Sequence, residues 1–124
     1  MEKILVIEDD KFLKDLLIKQ LEESGYAVVD AMDCEEGLKQ AKDEKPDLIL
    51  LDLVLPGRSG FEFLKEAKED LSEIKNIPVL ILSNLGQEED IRKGIDLGAE
   101  DFLIKAHMVP LEIVERIKET LAKK

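Results

Sequence analysis

The sequence predicts an α/β domain, a doubly wound (βα)5 sandwich on a parallel five-stranded sheet. Three observations lead there. Short apolar runs alternate with helical patterns from end to end of the chain. Those runs are nearly all apolar, as strands covered on both faces must be. No linker, internal repeat or low-complexity stretch separates the five β–α units, so right-handed crossovers wind them into one domain, residues 1–124.

The first strand is Ile4-Leu5-Val6-Ile7, which stops at Glu8-Asp9-Asp10. Phe12, Leu13, Leu16, Leu17 and Leu21 then recur at helical spacing, and Ser24-Gly25 supplies a stop. Ala27-Val28-Val29 reads as a short second strand. Asp33 with Glu36 three residues on resembles a capping box, opening a second helix over Cys34 to Glu44 that Pro46 ends. Leu48-Ile49-Leu50-Leu51 is the third strand, leaving through Asp52 and the turn around Pro56-Gly57. Ser59 and Glu62 repeat the capping pattern before a third helix carrying Phe61, Leu64, Ala67 and Leu71. Pro78 opens the fourth strand, Val79-Leu80-Ile81-Leu82. A fourth helix from about Gln87 to Leu97 closes on Gly98; its few apolar anchors, Ile91, Ile95 and Leu97, predict weak docking. The fifth strand covers Asp101 to Ile104, and the fifth helix sets Ile113, Val114, Ile117 and Leu121 on one face.

Bulk composition narrows the function. With 124 residues and 44% apolar content, the chain can bury one ordinary core. Acids outnumber bases 29 to 18, a net charge of −11, which argues against direct contact with DNA or RNA. The basic residues Lys118, Lys123 and Lys124 fit a solvated helix face better than a phosphate-binding patch. No apolar run approaches the roughly 20 residues of a membrane span, and Met1-Glu2-Lys3 leads straight into a strand. Cys34 stands alone, so no internal disulfide forms; a cytoplasmic protein is the expectation.

Four of the strand-like runs end on polar residues of different kinds: Glu8-Asp9-Asp10, Asp52, Ser83 and Lys105. In a parallel sheet these ends share one edge, where open α/β sheets bind ligands. Three carboxylates, Glu8, Asp9 and Asp52, repel one another unless a cation neutralises them. A hard divalent ion suits oxygen ligands, and Mg2+ suits best, since it takes one or two carboxylates and keeps positions for water and phosphate oxygens. Beside such an ion Asp52 can attack phosphorus and become an acyl phosphate. Lys105 then offers a point charge to the same oxygens, and Ser83 a hydroxyl donor. Taken singly, Asp52 reads as well as a cap or turn residue, Ser83 as the last residue of a strand, and Lys105 as a snorkelling surface lysine. Their concurrence at four strand ends carries the reading.

On these residues the chain resembles the receiver (phosphoacceptor) domain of bacterial response regulators over essentially its whole length. The matching segments are Ile4 to Asp10, Pro46 through Asp52 to Gly60, Val79 to Ser83 and Gly98 to Lys105. The resemblance implies the flavodoxin-like strand order 2-1-3-4-5, known also from the chemotaxis member of the family. It implies Asp52 as phosphoacceptor, and Asp9, Asp52 and the backbone carbonyl of Val54 as direct Mg2+ ligands, with Glu8 acting through water. Asp10 has no required role and is free to cap the first helix. Ser83 and Lys105 take the places of the switch hydroxyl and the phosphate-contacting lysine, and Phe102 that of the aromatic that rotates on activation. A histidine kinase or phosphotransfer protein, or a small phosphodonor, would supply the phosphoryl group in a two-component system. The product would be recognised by a downstream protein target through the face made by the fourth helix, fifth strand and fifth helix, with a phosphorylation-dependent homodimer also open. Such a protein is a signalling phosphoacceptor that catalyses its own phosphorylation and dephosphorylation, not an enzyme acting on a separate substrate.

Three departures from the family pattern stand out. Ala106 follows Lys105 where the family usually has a cis proline; a cis bond before alanine costs about 3 kcal/mol more than trans, so whether this bond is cis or trans, and with it the reach of Lys105, is left open by the sequence. Asn84 follows Ser83 where the family favours a smaller residue, predicting slower access of phosphodonors or water to Asp52. His107 has no family counterpart and reads as a solvated loop residue. Rival readings fare worse. A phosphatase of the haloacid dehalogenase type needs an acid two residues after its nucleophile, and Val54 has no proton to give. A flavodoxin must cradle a phosphate in its first loop, which Glu8-Asp9-Asp10 would repel. A degenerate receiver would have lost one of the acids, the hydroxyl or the lysine, and all are present. After the fifth helix the chain stops at Leu121-Ala122-Lys123-Lys124, so it reads either as a stand-alone regulator or as a piece of a longer protein.

Overall fold

Every apolar run becomes a strand because each has two faces to bury. The computed structural model describes residues 1–124. It runs β1 (Lys3–Ile7), α1 (Lys11–Glu23), β2 (Ala27–Ala31), α2 (Cys34–Glu44), β3 (Leu48–Leu51), α3 (Gly60–Ala67), β4 (Val79–Ser83), α4 (Glu88–Asp96), β5 (Asp101–Ile104) and α5 (Pro110–Ala122). A single 3₁₀ turn, Lys105–His107, joins β5 to α5. The five strands pair in parallel in the order β2-β1-β3-β4-β5. That is the order the family resemblance implies.

The period-two alternation of strands divides the core into two layers. Leu5, Ile7, Ile49, Leu51, Val79 and Ile81 face α2 and α3, meeting Leu38, Ala41, Phe63 and Leu64. Ile4, Val6, Leu48, Leu50, Leu80 and Leu82 face the other way, meeting Leu17 and Leu21 of α1 and Ile113, Val114 and Ile117 of α5.

Helix starts follow their caps. Asp10 accepts from the Leu13 amide at 3.1 Å and opens α1. Ser59 and Glu62 form a complete capping box on α3. At α2 the box is only half made: Asp33 accepts from the Glu36 amide at 2.8 Å, but Glu36 reaches past it to the Met32 amide at 2.7 Å.

Two helical patterns promised more burial than the fold delivers. α3 ends at Ala67, and Leu71, expected on its apolar face, is 98% exposed. The Lys68 ammonium donates to the carbonyls of Lys75 and Ile77 at 2.9 and 2.8 Å, folding the chain back so that Ile74 enters the core instead. In α1, Phe12 is 76% exposed, while Lys14 lies buried with its ammonium 2.9 Å from Asp30. The aliphatic stem of Lys14 is buried along with it, while its ammonium is paired with Asp30.

Candidate functional site

The ladder of β1 and β3 continues one residue beyond the strands. Glu8 donates its amide to the Ala31 carbonyl and Asp52 donates its own to the Ile7 carbonyl, both at 3.0 Å. Backbone pairing therefore fixes where both acids emerge. Gly60 completes the frame. Its amide donates to the Leu53 carbonyl at 2.8 Å, and a Cβ there would stand 2.3 Å from the Asp52 carbonyl oxygen. Only a residue without a side chain lets α3 begin this close to the exit of β3.

Glu8, Asp9 and Asp52 each present a carboxylate oxygen within 4.8 Å of the others. Glu8 and Asp52 are buried, whereas Asp9 is exposed at the mouth. The Asp10 amide donates to Glu8 Oε2 at 3.0 Å, and the Val54 amide to Asp52 Oδ1 at 3.2 Å. The Lys105 ammonium reaches across from β5, 2.9 Å from Asp52 Oδ2 and 2.7 Å from Glu8 Oε1. The Asp52 contact is a directed hydrogen bond. The contact with Glu8 is an ion pair by distance whose angle misses hydrogen-bond geometry, which leaves buried Oε1 without a directed donor.

Burial dominates the electrostatics of Glu8 and raises its pKa, with the Asp52 charge adding to the rise; Lys105 and the Asp10 amide offset part of it. For Lys105, burial opposes the charge, yet the close contacts with the carboxylates of Glu8 and Asp52 together outweigh it and raise the ammonium's pKa. Three carboxylates share a single ammonium here, and the acid left over fits a hard cation. The donor set is all oxygen, with no soft ligand near enough to favour a transition metal.

These groups line a cleft of about 350 Å³ together with Asp10, Val54 and Asn84. Sequence reasoning placed Glu8, Asp9, Asp52, Val54 and Lys105 here, and the structure brings all five together. Ser83 is at the end of β4 but wholly buried and not on the cleft wall; its hydroxyl accepts from the Leu85 amide at 3.3 Å. Phe102 is half-buried on β5, its ring against α4 at Gly94, where a Cβ would lie 3.2 Å from the ring edge. All peptide bonds are trans, including that before Ala106. The linkage that the sequence left open is therefore trans, and Lys105 reaches the carboxylates with it. His107 is exposed beyond the turn. Sequence reasoning did not find the bond from the Ala106 amide to Asn84 Oδ1, 3.0 Å long and spanning 22 residues.

Comparison with known proteins agrees with this geometry. The family model described as the response regulator receiver domain matches residues 4–118. The phosphate regulon transcriptional regulatory protein PhoB of Escherichia coli is 40% identical over 119 residues, 96% of this chain and 51% of PhoB. The alkaline phosphatase synthesis transcriptional regulatory protein PhoP of Bacillus subtilis is 41% identical over 120 residues, 97% of this chain and 48% of PhoP. The chain thus spans about half the length of these relatives. A CheY-like response regulator receiver domain protein from Methanospirillum hungatei superimposes with a TM-score of 0.90 at 28% identity, over 99% of this chain and 95% of that one.

Proposed function

The chain belongs to the family of response regulator receiver domains, and from that premise we propose that it is a phosphorylation-controlled switch whose phosphoacceptor is Asp52. One observation carries the reading. A single ammonium, Lys105, bridges the buried acids of two adjoining strand ends, with the third acid within 4.8 Å. A purely structural cluster has no need of an exposed third carboxylate at the mouth of a cleft.

Asp9, Asp52 and the Val54 carbonyl would hold a divalent cation, Mg2+ by its preference for oxygen, with Glu8 acting through water. When bound, the ion supplies neutralising charge to the carboxylates and to the phosphoryl oxygens. The rest falls to the protein. The Val54 amide orients one oxygen of Asp52 and Lys105 the other. An Asp52 oxygen attacks the phosphorus of a phosphohistidine or small phosphodonor; the new P–O bond forms as the P–N or P–O bond to the donor breaks, and the leaving group keeps the bonding pair. Lys105 then turns from the carboxylates to the phosphoryl oxygens. Ser83 moves from the Leu85 amide to donate to the phosphoryl group, and Phe102 repacks against α4. That altered α4–β5–α5 face presents the signal to a downstream protein, or to a second copy of the chain, in the cytoplasm. No helix is long and apolar enough to cross a membrane.

The test is intact-mass measurement after incubation with Mg2+ and acetyl phosphate. The protein should gain one phosphoryl group and Asp52→Asn none. No gain in the parent, or an equal gain in the variant, overturns the proposal.

A further inference from the structure

Beyond β4 and β5 the sheet makes one more rung, and a side chain makes it. Backbone pairing of the two strands ends at Ser83 opposite Ile104. The next residues are Asn84 and Lys105, and there Asn84 Oδ1 accepts the amide of Ala106 at 3.0 Å. Amides at the start of a helical turn have no acceptor within the turn, and no side chain caps this one from its N-cap position. The amide exists to be taken because position 106 is alanine; a proline has none to offer.

We infer that Asn84 is a positioning residue that holds the Lys105 turn in place, so that the ammonium stands between Glu8 and Asp52. The inference rests on the phosphoacceptor reading for its consequence, though not for its geometry. Lys105 begins the 3₁₀ turn Lys105–His107, closed by the Met108 amide on the Lys105 carbonyl at 3.2 Å. That turn is three residues long and follows the strand directly, and its outer residues Ala106 and His107 are exposed. The Asn84 bond ties it to β4 across the mouth of the cleft, on the same wall as Lys105. It also links Lys105 to the residue next to Ser83, so the sensing hydroxyl and the counter-charge share one mechanical connection.

The alternative role for Asn84 is bulk that slows access to Asp52. Three variants separate acceptor from bulk. Asn84→Leu keeps the size and removes the acceptor, Asn84→Ala removes both, and Asn84→Asp keeps the acceptor. In the unphosphorylated protein, hydrogen exchange at the Ala106 amide should speed up about 2- to 10-fold in the Leu and Ala variants, the range of one modest hydrogen bond. Protection should return in the Asp variant. Phosphoryl uptake from acetyl phosphate with Mg2+ should slow by a similar factor in both Leu and Ala variants. Unchanged Ala106 exchange in Asn84→Leu overturns the inference, as does uptake that is normal in Leu and faster in Ala, the signature of bulk. Should the parent take up no phosphoryl group, or Asp52→Asn take up as much, the phosphoacceptor reading fails on its own, and the exchange of the Ala106 amide alone decides the positioning role.

Discussion

The two sides of the site are held by different forces. On one side, β1 and β3 deliver Glu8 and Asp52 by backbone pairing, and behind them α2 and α3 are seated by buried side chains: Cys34, Leu38 and Ala41 from one, Phe63, Leu64 and Ala67 from the other. On the other side, β4 and β5 deliver Ser83 and Lys105; α5 covers one face of these strands with buried Ile113, Val114 and Ile117, but α4 on the other face buries only Gly94. Its Ile95 is 43% exposed, and its N-cap residue Gln87 makes no side-chain capping bond. Glu88, Glu89 and Asp90 in its first turn favour the positive end of the helix dipole, but such charges are worth little at an exposed surface. Helices gain most of their stability from packing, so α4 is the element able to shift at small cost. The three acids, Glu8, Asp9 and Asp52, stand on the fixed side, whereas Ser83, Phe102 and the ammonium of Lys105 come from the adjustable one.

The largest expected contrast comes from truncating one side chain on each side. Phe63→Ala removes a fully buried ring from the α3 layer and should cost about 3–5 kcal/mol in urea unfolding. Ile95→Ala, on the half-exposed face of α4, should cost about 0.5 kcal/mol. Comparable costs for the two would break the distinction.

Cys34 reports from the fixed side without any mutation. It opens α2 and is 1% exposed. Burial pushes its thiol up to about 11 from 9.0, with Arg58 offsetting part of the rise and Glu35, Glu66 and Glu62 adding to it. At pH 8 the native thiolate is then about a hundredfold scarcer than in the unfolded chain. Alkylation should be at least that much slower in native protein than in urea, and should quicken as the pH climbs toward 11. The fold's preference for the neutral thiol is fully present below pH 9.0 and is lost as the pH rises through the raised value. Rapid native alkylation at pH 8 would show that α2 opens as readily as α4.

Gly60→Ala tests the frame under Asp52. The new Cβ would meet the Asp52 carbonyl oxygen at 2.3 Å and Leu53 Cα at 2.7 Å, both backbone. Neither can swing aside as a side-chain end can, so unfolding should weaken by about 2 kcal/mol. Phosphoryl uptake should fall with it, because the obstruction lies at the nucleophile's own peptide. A variant of parental stability and uptake would mean that the β3 exit is more pliant than its pairing implies.

Much of this division is legible in the sequence, because a strand end is a local event: an apolar run stops and a polar residue follows. Glu8, Asp9, Asp52, Ser83 and Lys105 all stand out that way. The sparse anchors of α4 are equally local, since Ile91, Ile95 and Leu97 fall within one short segment. What the sequence conceals are contacts between residues far apart in the chain. The periodicity of α3 runs on toward Leu71, and only the reach of Lys68 to the carbonyls of Lys75 and Ile77 shows why it stops at Ala67. Lys14 reads as a solvated residue until Asp30 is placed beside it. The Asn84 bond spans 22 residues and ends on a backbone amide, a group every residue but proline carries, so no pattern of side chains marks it.

The smallest expected effect decides most finely between the two sides. Gly94→Ala changes the one buried residue of α4. Within a helix, alanine is better than glycine by about 0.5–1 kcal/mol. Against that gain, the Cβ would stand 2.6 Å from Ile81 Cδ1 and 3.2 Å from the Phe102 ring. The nearest atom is the far end of a side chain and the second belongs to a half-buried ring, so both can give where a backbone could not. Gain and strain should nearly cancel, leaving unfolding within about 0.5 kcal/mol of the parent, in contrast to Gly60→Ala with its backbone neighbours. The displaced ring should still register the change in the NMR signals of Phe102, with α4 riding outward from the sheet. A loss above about 2 kcal/mol would mean that α4 is seated as tightly at Gly94 as α3 is at Gly60, and the adjustable side would have to be sought elsewhere.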